Sequence, residues 1–220
     1  MIYNLFFVSL QYKNKHQMGK EINNNGYSYV DLGLPSGTLW AACNVGASKP
    51  SDFGLYFQWG DTKGYSKEQI EKENKFYLKS YKWHNDNAFT KYTNPSEALE
   101  LEDDAANVNM GGDWHMPTPT QINELLDNTI NAWTKSDDGV SGLMIISKKD
   151  TSKAIFIPAA GGAWNGLVVY DGKFGNVWSS MLSANSIDCG QSFGFGPGGA
   201  YVCCDYGFRD DGRSVRGVIG

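Results

Sequence analysis

The side chains best suited to acid–base chemistry are scattered along this 220-residue sequence, with one exception. Asp103 and Asp104 form a carboxylate pair, which invites a general acid–base or metal-binding interpretation. With Glu102, however, they fall in the first turn of a predicted helix, where the helix dipole favours negative charge. We therefore interpret the pair as structural.

The three histidines, His16, His84 and His115, lie far apart in the sequence. His115 stands between Trp114 and Met116, next to a predicted helix start, so we expect it to be packed or exposed. No serine has a histidine and aspartate partner by motif, and no glycine-rich phosphate loop opens a helix. The sequence thus predicts no catalytic residue, no cofactor and no metal site.

The four cysteines, Cys43, Cys189, Cys203 and Cys204, offer thiol chemistry. An even number is compatible with disulfides in an oxidising compartment, but no spacing indicates zinc. Neighbouring residues of a strand point to opposite faces, so Cys203 and Cys204 cannot both face one partner. We favour thiols, with Cys43 as a small buried hydrophobe, and keep disulfides as the alternative.

Composition narrows the class of protein further. The net charge is −5 and the lysines and arginines form no block, which argues against a nucleic-acid surface. The sequence is 41% hydrophobic, enough for a core, yet contains no apolar run of membrane-spanning length. Residues 1–25 contain a short apolar stretch without a basic flank or an evident cleavage site. We therefore divide the chain into an extension, 1–25, and a domain, 26–220.

Two helices are predicted from capping signals. Thr118, Pro119 and Gln121 form a capping box with proline at the first helical position, which predicts a helix over 119–128. Residues 101–110 predict a second short helix, stopped by the glycine pair that follows. A lysine- and glutamate-rich segment, 66–81, has apolar positions too sparse to define more than a possible solvated helix.

Strands are predicted to dominate the second half of the chain. The runs 143–146 and 154–157 are joined by a polar turn and predict a hairpin, and 214–219 predicts the last strand. Because helices are predicted early in the chain and strands late, we predict an α+β domain with two short helices and a twisted, mostly antiparallel sheet.

The segment 183–212 carries the prediction of a binding site. Its mixture of aromatic and small polar residues is typical of adaptable binding surfaces, and Phe193 and Phe195 alternate with glycines so that both rings share a face. The alternative is that these aromatics fill a core. The predicted ligand-binding residues are Asp188, Gln191, Phe193, Phe195, Tyr201, Cys203, Asp205, Tyr206, Phe208, Arg209 and Asp210.

Several motifs in order over residues 27–219 resemble the Fibrobacter succinogenes major paralogous domain family. They are YVDLGLPSGTLWA (29–41), CNVGA (43–47), GLYFQWGD (54–61), EDDAA (102–106), GDWHMPT (112–118), FIPAAG (156–161), WSS (178–180) and RSVR (213–216). The resemblance implies a C-type-lectin-like fold. That fold is similar to formylglycine-generating domains and to the variable proteins of diversity-generating retroelements, which display altered residues near the C-terminus.

The resemblance favours a binding or adhesion module for a protein or glycan on a bacterial cell or phage virion surface, without membrane insertion. The Ser, Asp, Gly, Tyr, Phe, Cys, Ile and Asn residues of 183–212 are all reachable when the adenines of an asparagine codon change, so a diversified surface and an ordinary loop-rich one both remain open. The alternatives are a structural domain of a surface assembly or a formylglycine-generating-type enzyme using Cys189, Cys203 or Cys204. The calcium-binding tripeptides of true lectins are missing, and residues 83–86 resemble one of them only loosely.

Overall fold

The computed structural model describes residues 21–22, 25–203 and 207–220. The predicted site residues Asp205 and Tyr206, and Cys204 beside them, lie outside the described residues. The architecture is mixed α+β, with described helices that are short and end by Asn128 and with several antiparallel sheets, which confirms the predicted α+β class. The described residues include no helix with the length and apolar character needed to cross a bilayer.

The described helices are short and begin at capped positions. They are α1 (Lys67–Glu73), α2 (Ala105–Met110) and α3 (Pro119–Asn128), with 3-10 turns at Leu78–Ser80 and Leu101–Asp103. The predicted bounds of α3 are confirmed, together with the reciprocal Thr118 and Gln121 capping box. A second capping box, formed by Ser66 and Gln69, starts α1. It explains why the lysine- and glutamate-rich segment 66–81 contains a helix although its apolar positions are sparse.

The predicted helix over 101–110 is interrupted at Asp104. Its carboxylate accepts hydrogen bonds from the backbone N–H groups of Ala106 and Asn107 and so caps α2, while a 3-10 turn precedes it. The second oxygen accepts from the Met116 N–H at 2.8 Å. The structural interpretation of Asp104 is therefore confirmed, although it lies before the helix and not within its first turn.

Fourteen strands are described, and they form four sheets. The strands are β1 (Glu21–Ile22), β2 (Ser28–Val30), β3 (Leu39–Ala41), β4 (Tyr56–Phe57), β5 (Thr129–Lys135), β6 (Ser141–Ser147), β7 (Ala154–Pro158), β8 (Gly162–Trp164), β9 (Leu167–Val169), β10 (Gly175–Leu182), β11 (Gly190–Gly196), β12 (Gly199–Cys203), β13 (Arg213–Ser214) and β14 (Val218–Ile219). The strand orders are β1-β2-β3-β14, β12-β11-β10-β13-β4, β5-β6-β7 and β8-β9. Among the described strands every strand-to-strand pairing is antiparallel except that of β10 with β13.

The predicted hairpin over 143–146 and 154–157 is confirmed as β6 and β7, and β5 extends it to three strands. The prediction of one last strand over 214–219 is wrong, because β13 and β14 belong to different sheets. Between them the buried guanidinium of Arg216 donates to Ala41 O, Asn44 Oδ1 and Phe156 O. These bonds hold the chain as it crosses from one sheet to the other.

The principal core lies where α3 and β5–β7 meet the inner face of β10 and β11. Ile122 and Leu125 of α3 pack in this core with Val177 of β10 and Phe193 and Phe195 of β11. A second core contains the tryptophans Trp59, Trp114 and Trp178. Every residue of β11 is buried, so this strand is covered on both faces.

Candidate ligand-binding cleft

A cleft of about 590 Å³ opens between the β8–β9 hairpin and residues 208–213, which we call the C-terminal segment. Its walls mix aromatic rings, glycines and polar groups, as ligand sites commonly do. The lining residues are Phe76, Gly161, Gly162, Trp164, Asn165, Tyr170, Phe174, Asn176, Tyr201, Phe208, Asp210, Asp211 and Arg213.

Five of these lining residues are large aromatics that stay exposed. The exposed fractions are 36% for Trp164, 55% for Tyr170, 47% for Phe174, 55% for Tyr201 and 58% for Phe208. The Trp164 and Tyr170 ring centroids lie 6.0 Å apart, and those of Tyr170 and Phe174 lie 6.1 Å apart, edge to face. Single exposed hydrophobic residues are ordinary, but a contiguous group of them marks an interaction site.

A two-residue turn holds Trp164 at the cleft. Trp164 pairs with Leu167, and Asn165 and Gly166 between them both have positive φ, 50° and 76°, as a tight Asn-Gly hairpin turn requires. The Gly166 backbone lies so close to Asn74 that a Cβ there would stand 2.1 Å from its Oδ1. The turn is also bonded to the loop after α1, because the Asn165 N–H donates to Phe76 O.

Two backbone hydrogen bonds join the hairpin to the C-terminal segment. The Ala163 N–H donates to Gly212 O at 2.8 Å, and the Gly212 N–H donates back to Ala163 O at 2.7 Å. Across the cleft, Tyr201 lies on β12 opposite Gly194, and a Cβ at Gly194 would stand 3.0 Å from the tyrosine ring. Hydrogen-bonded pairing of backbone segments therefore fixes both walls of the cleft.

Arg213 and Asp211 supply charge at the cleft. Arg213 donates to Ser192 Oγ at 2.7 Å, and its guanidinium carbon lies 4.5 Å from the centre of the Trp178 ring. Its separation from the Asp211 carboxylate is 3.8 Å, a loose ion pair. Burial raises the pKa of Asp211 to about 6, against the opposing effect of Arg213 and with a smaller contribution from the charge of Asp210.

The structure corrects the prediction that Phe193 and Phe195 contact a ligand. The two rings do share a face, with centroids 5.3 Å apart, but that face is the core, and the exposed fractions are 0% and 1%. The physical reason is that β11 lies between β10 and β12 and its ring-bearing face is covered by α3. The alternative raised by the sequence, that these aromatics fill a core, is correct for this pair.

Gln191 and Arg209 are also buried, contrary to their predicted place on a binding surface. The Gln191 side-chain amide donates to Leu182 O at 2.9 Å. Arg209 is fully buried and donates to the carbonyls of Lys91, Tyr92 and Ile187. Both side chains have their hydrogen bonds within the fold and are structural.

Of the other predicted residues, the structure brings Tyr201, Phe208 and Asp210 together at the cleft. Asp188 is exposed but does not line it. Cys203 ends β12, and Cys189 is buried with 4% exposure. Cys43 is only half-buried, so its predicted role as a buried hydrophobe is wrong.

Sequence reasoning missed the hairpin side of the cleft, namely Trp164, Tyr170 and Phe174. The local signal was present, because Asn165-Gly166 flanked by apolar residues is a strong hairpin pattern and it places Trp164 at the tip of a strand.

One cluster of acidic residues could be mistaken for a cation site. Carboxylate oxygens of Glu100, Glu102 and Asp103 lie within 4.8 Å of one another. Lys91 Nζ lies 2.7 Å from Asp103 and 2.5 Å from Glu100, and Lys82 Nζ lies 3.0 Å from Asp103. The lysines occupy the position that a metal would take, so the cluster is an ion-pair network.

Comparison with protein-family models, curated proteins and solved structures gives no match to this chain. The cleft and the ordered motifs over residues 27–219 are therefore the features that bear on function.

Proposed function

We propose that this protein is a ligand-binding or adhesion module that receives a protein or glycan partner in the cleft between β8–β9 and the C-terminal segment. One observation carries the proposal: five exposed aromatic side chains gather around one cleft whose walls are fixed by backbone pairing. Aromatic side chains give large contact areas at low entropic cost, which is why they dominate binding surfaces.

The proposed scaffold is a C-type-lectin-like fold. The ordered motifs over residues 27–219 support it, as do the α+β composition and the predominance of antiparallel pairing. The proposed setting is a bacterial cell or virion surface, and segment 183–212 is proposed as the region that a retroelement would diversify. Exposure of Tyr201 and Phe208 is consistent with that role, because their replacement would alter the cleft without touching the core.

The alternative of a formylglycine-generating-type enzyme needs a cysteine that can reach a substrate. Cys189, one of the three cysteines considered for that role, is buried with 4% exposure and gives this alternative no support.

Glycan arrays and arrays of bacterial surface proteins, probed with the whole chain, test the proposal. Trp164→Ala, Tyr201→Ala and Phe208→Ala should each weaken binding by about tenfold or more, since anchoring aromatics dominate interface energies. Leu101→Ala is the matched control, because Leu101 is 62% exposed and does not line the cleft. Binding that survives all three aromatic replacements would rule the cleft out as the site.

A further inference from the structure

The cleft carries more negative than positive charge, and its walls are also rich in aromatic rings. Among its described lining residues, Asp210 and Asp211 face one basic residue, Arg213. The guanidinium of Arg213 is already engaged by Ser192 and by the ring of Trp178. Within the described part of the chain Asp210 forms no ion pair, so its carboxylate has no cation in direct contact.

Resting on the function proposed above, we infer that the cleft recognises a cation, the ammonium or guanidinium group of a lysine or arginine side chain on a protein partner. The π face of an aromatic ring is electronegative and attracts such a group, most strongly where water is displaced. Trp164, Tyr170 and Phe174 provide adjacent rings on one wall, and Tyr201 and Phe208 provide the others.

The state of the carboxylates agrees with this assignment. Burial raises the pKa of Asp210 and, to about 6, that of Asp211, because neither charge is fully solvated. A ligand cation would supply the compensating charge that Arg213, 3.8 Å from Asp211, supplies only in part. The net charge of −5 on the whole chain favours the approach of the same kind of partner.

The hydrogen-bonding groups fit a neutral sugar less well. Sugar hydroxyls are usually held by side chains with unused donors and acceptors. Arg213, the strongest donor lining the cleft, is directed to Ser192 at 2.7 Å and to Asn176 at 3.4 Å. Besides the neutral amides of Asn165 and Asn176, the cleft is lined by aromatic rings and carboxylates, which are the features that select a cation.

The test is an NMR titration of the full chain, following the indole N–H signal of Trp164, which is assigned from its loss in Trp164→Phe. The probe is Nα-acetyl-lysine N-methylamide, and its uncharged match is the norleucine analogue. A methyl glucoside represents a glycan. We expect the lysine probe to shift the Trp164 signal and the norleucine probe to bind about tenfold more weakly or worse. Asp210→Asn and Asp211→Asn should each weaken the lysine probe, with the dispersion of the remaining spectrum showing that the variants are folded.

Equal binding of the lysine and norleucine probes would overturn the inference while leaving the cleft as a binding site. Selective binding of the glucoside would do the same and favour a glycan partner. If no probe shifts the Trp164 signal at millimolar concentration, the cation inference fails. The proposed function is then judged separately, because the array experiment with Trp164→Ala does not depend on the charge of the ligand.

Discussion

The guanidinium carbon of Arg209 lies 4.3 Å from the centre of the Phe89 ring, and the arginine side chain is fully buried. Its nitrogen atoms donate to Tyr81 Oη and to the carbonyls of Lys91 and Tyr92. A single residue of the C-terminal segment therefore fixes the long loop that contains Phe89. Because the cleft wall continues directly from Arg209 to Asp210, the position of that wall depends on this buried contact.

We expect Arg209→Met to lower the free energy of unfolding by about 3 kcal/mol or more, since it leaves buried carbonyl groups without donors. Arg209→Lys should also destabilise, because one ammonium cannot reproduce the planar set of donors. Urea unfolding followed by fluorescence measures both. Lys173→Ala, at an exposed position, is the control and should change stability by no more than about 0.5 kcal/mol. A similarly small loss for Arg209→Met would show that the network is dispensable.

Phe193 and Tyr201 lie on neighbouring strands but are expected to respond in opposite ways to truncation. Phe193→Ala removes a fully buried ring and should cost about 3–5 kcal/mol of stability. Tyr201 is 55% exposed, so Tyr201→Ala should shift the unfolding midpoint little while it weakens ligand binding. Thermal unfolding of the two variants beside the wild type makes the comparison. Comparable losses of stability would place Tyr201 in the core as well.

Local signals were sufficient to predict part of this fold. The residues that start α3 act on one another within a single turn, so Thr118 and Gln121 define that helix without help from the rest of the chain. The burial of β11, by contrast, is not determined by its local sequence. Phe193 and Phe195 alternate with glycines, and the pattern alone does not reveal that both faces of the strand are covered. Arg209 was predicted in a binding surface from the composition of segment 183–212, but its buried carbonyl partners come from loops distant in sequence, which that composition does not reveal.

The charge of Asp211 should make folding less favourable as pH rises. Its pKa in the folded protein is about 6, above its ordinary value of 3.8, so the folded state binds the proton more tightly than the unfolded state does. Stability is thus unaffected by this group below about pH 4, declines between about pH 4 and 6, and stays reduced above that range. We expect Asp211→Asn to stabilise the protein at pH 7.5 by about 1–3 kcal/mol and to have little effect at pH 4. Urea midpoints at the two pH values measure this, with the exposed Asp137→Asn as control. The same gain at both pH values would contradict the assignment.

If segment 183–212 is diversified, the exposure of each side chain should determine which codons are found changed. In descendants of one clone, deep sequencing of codons 178–213 is expected to show substitutions at Asp188, Tyr201 and Phe208, which are exposed. Phe193 and Arg209 are fully buried and should not vary among folded proteins. An equal length of the gene upstream is the control for sequencing error. An unvarying segment would leave a static binding module and remove diversification from the proposal.

The pairing of the final strands has a consequence for how the chain reaches its folded state. Arg213 of β13 pairs with Phe57 of β4, and Val218 of β14 pairs with Trp40 of β3. Each contact closes a loop of most of the chain, and such non-local contacts slow folding. During synthesis, the edge of β4 that pairs with β13 and the edge of β3 that pairs with β14 therefore stay unpaired until residues 213–219 leave the ribosome. The early part of the chain is therefore open to misassembly until residues 213–219 are available to pair with it.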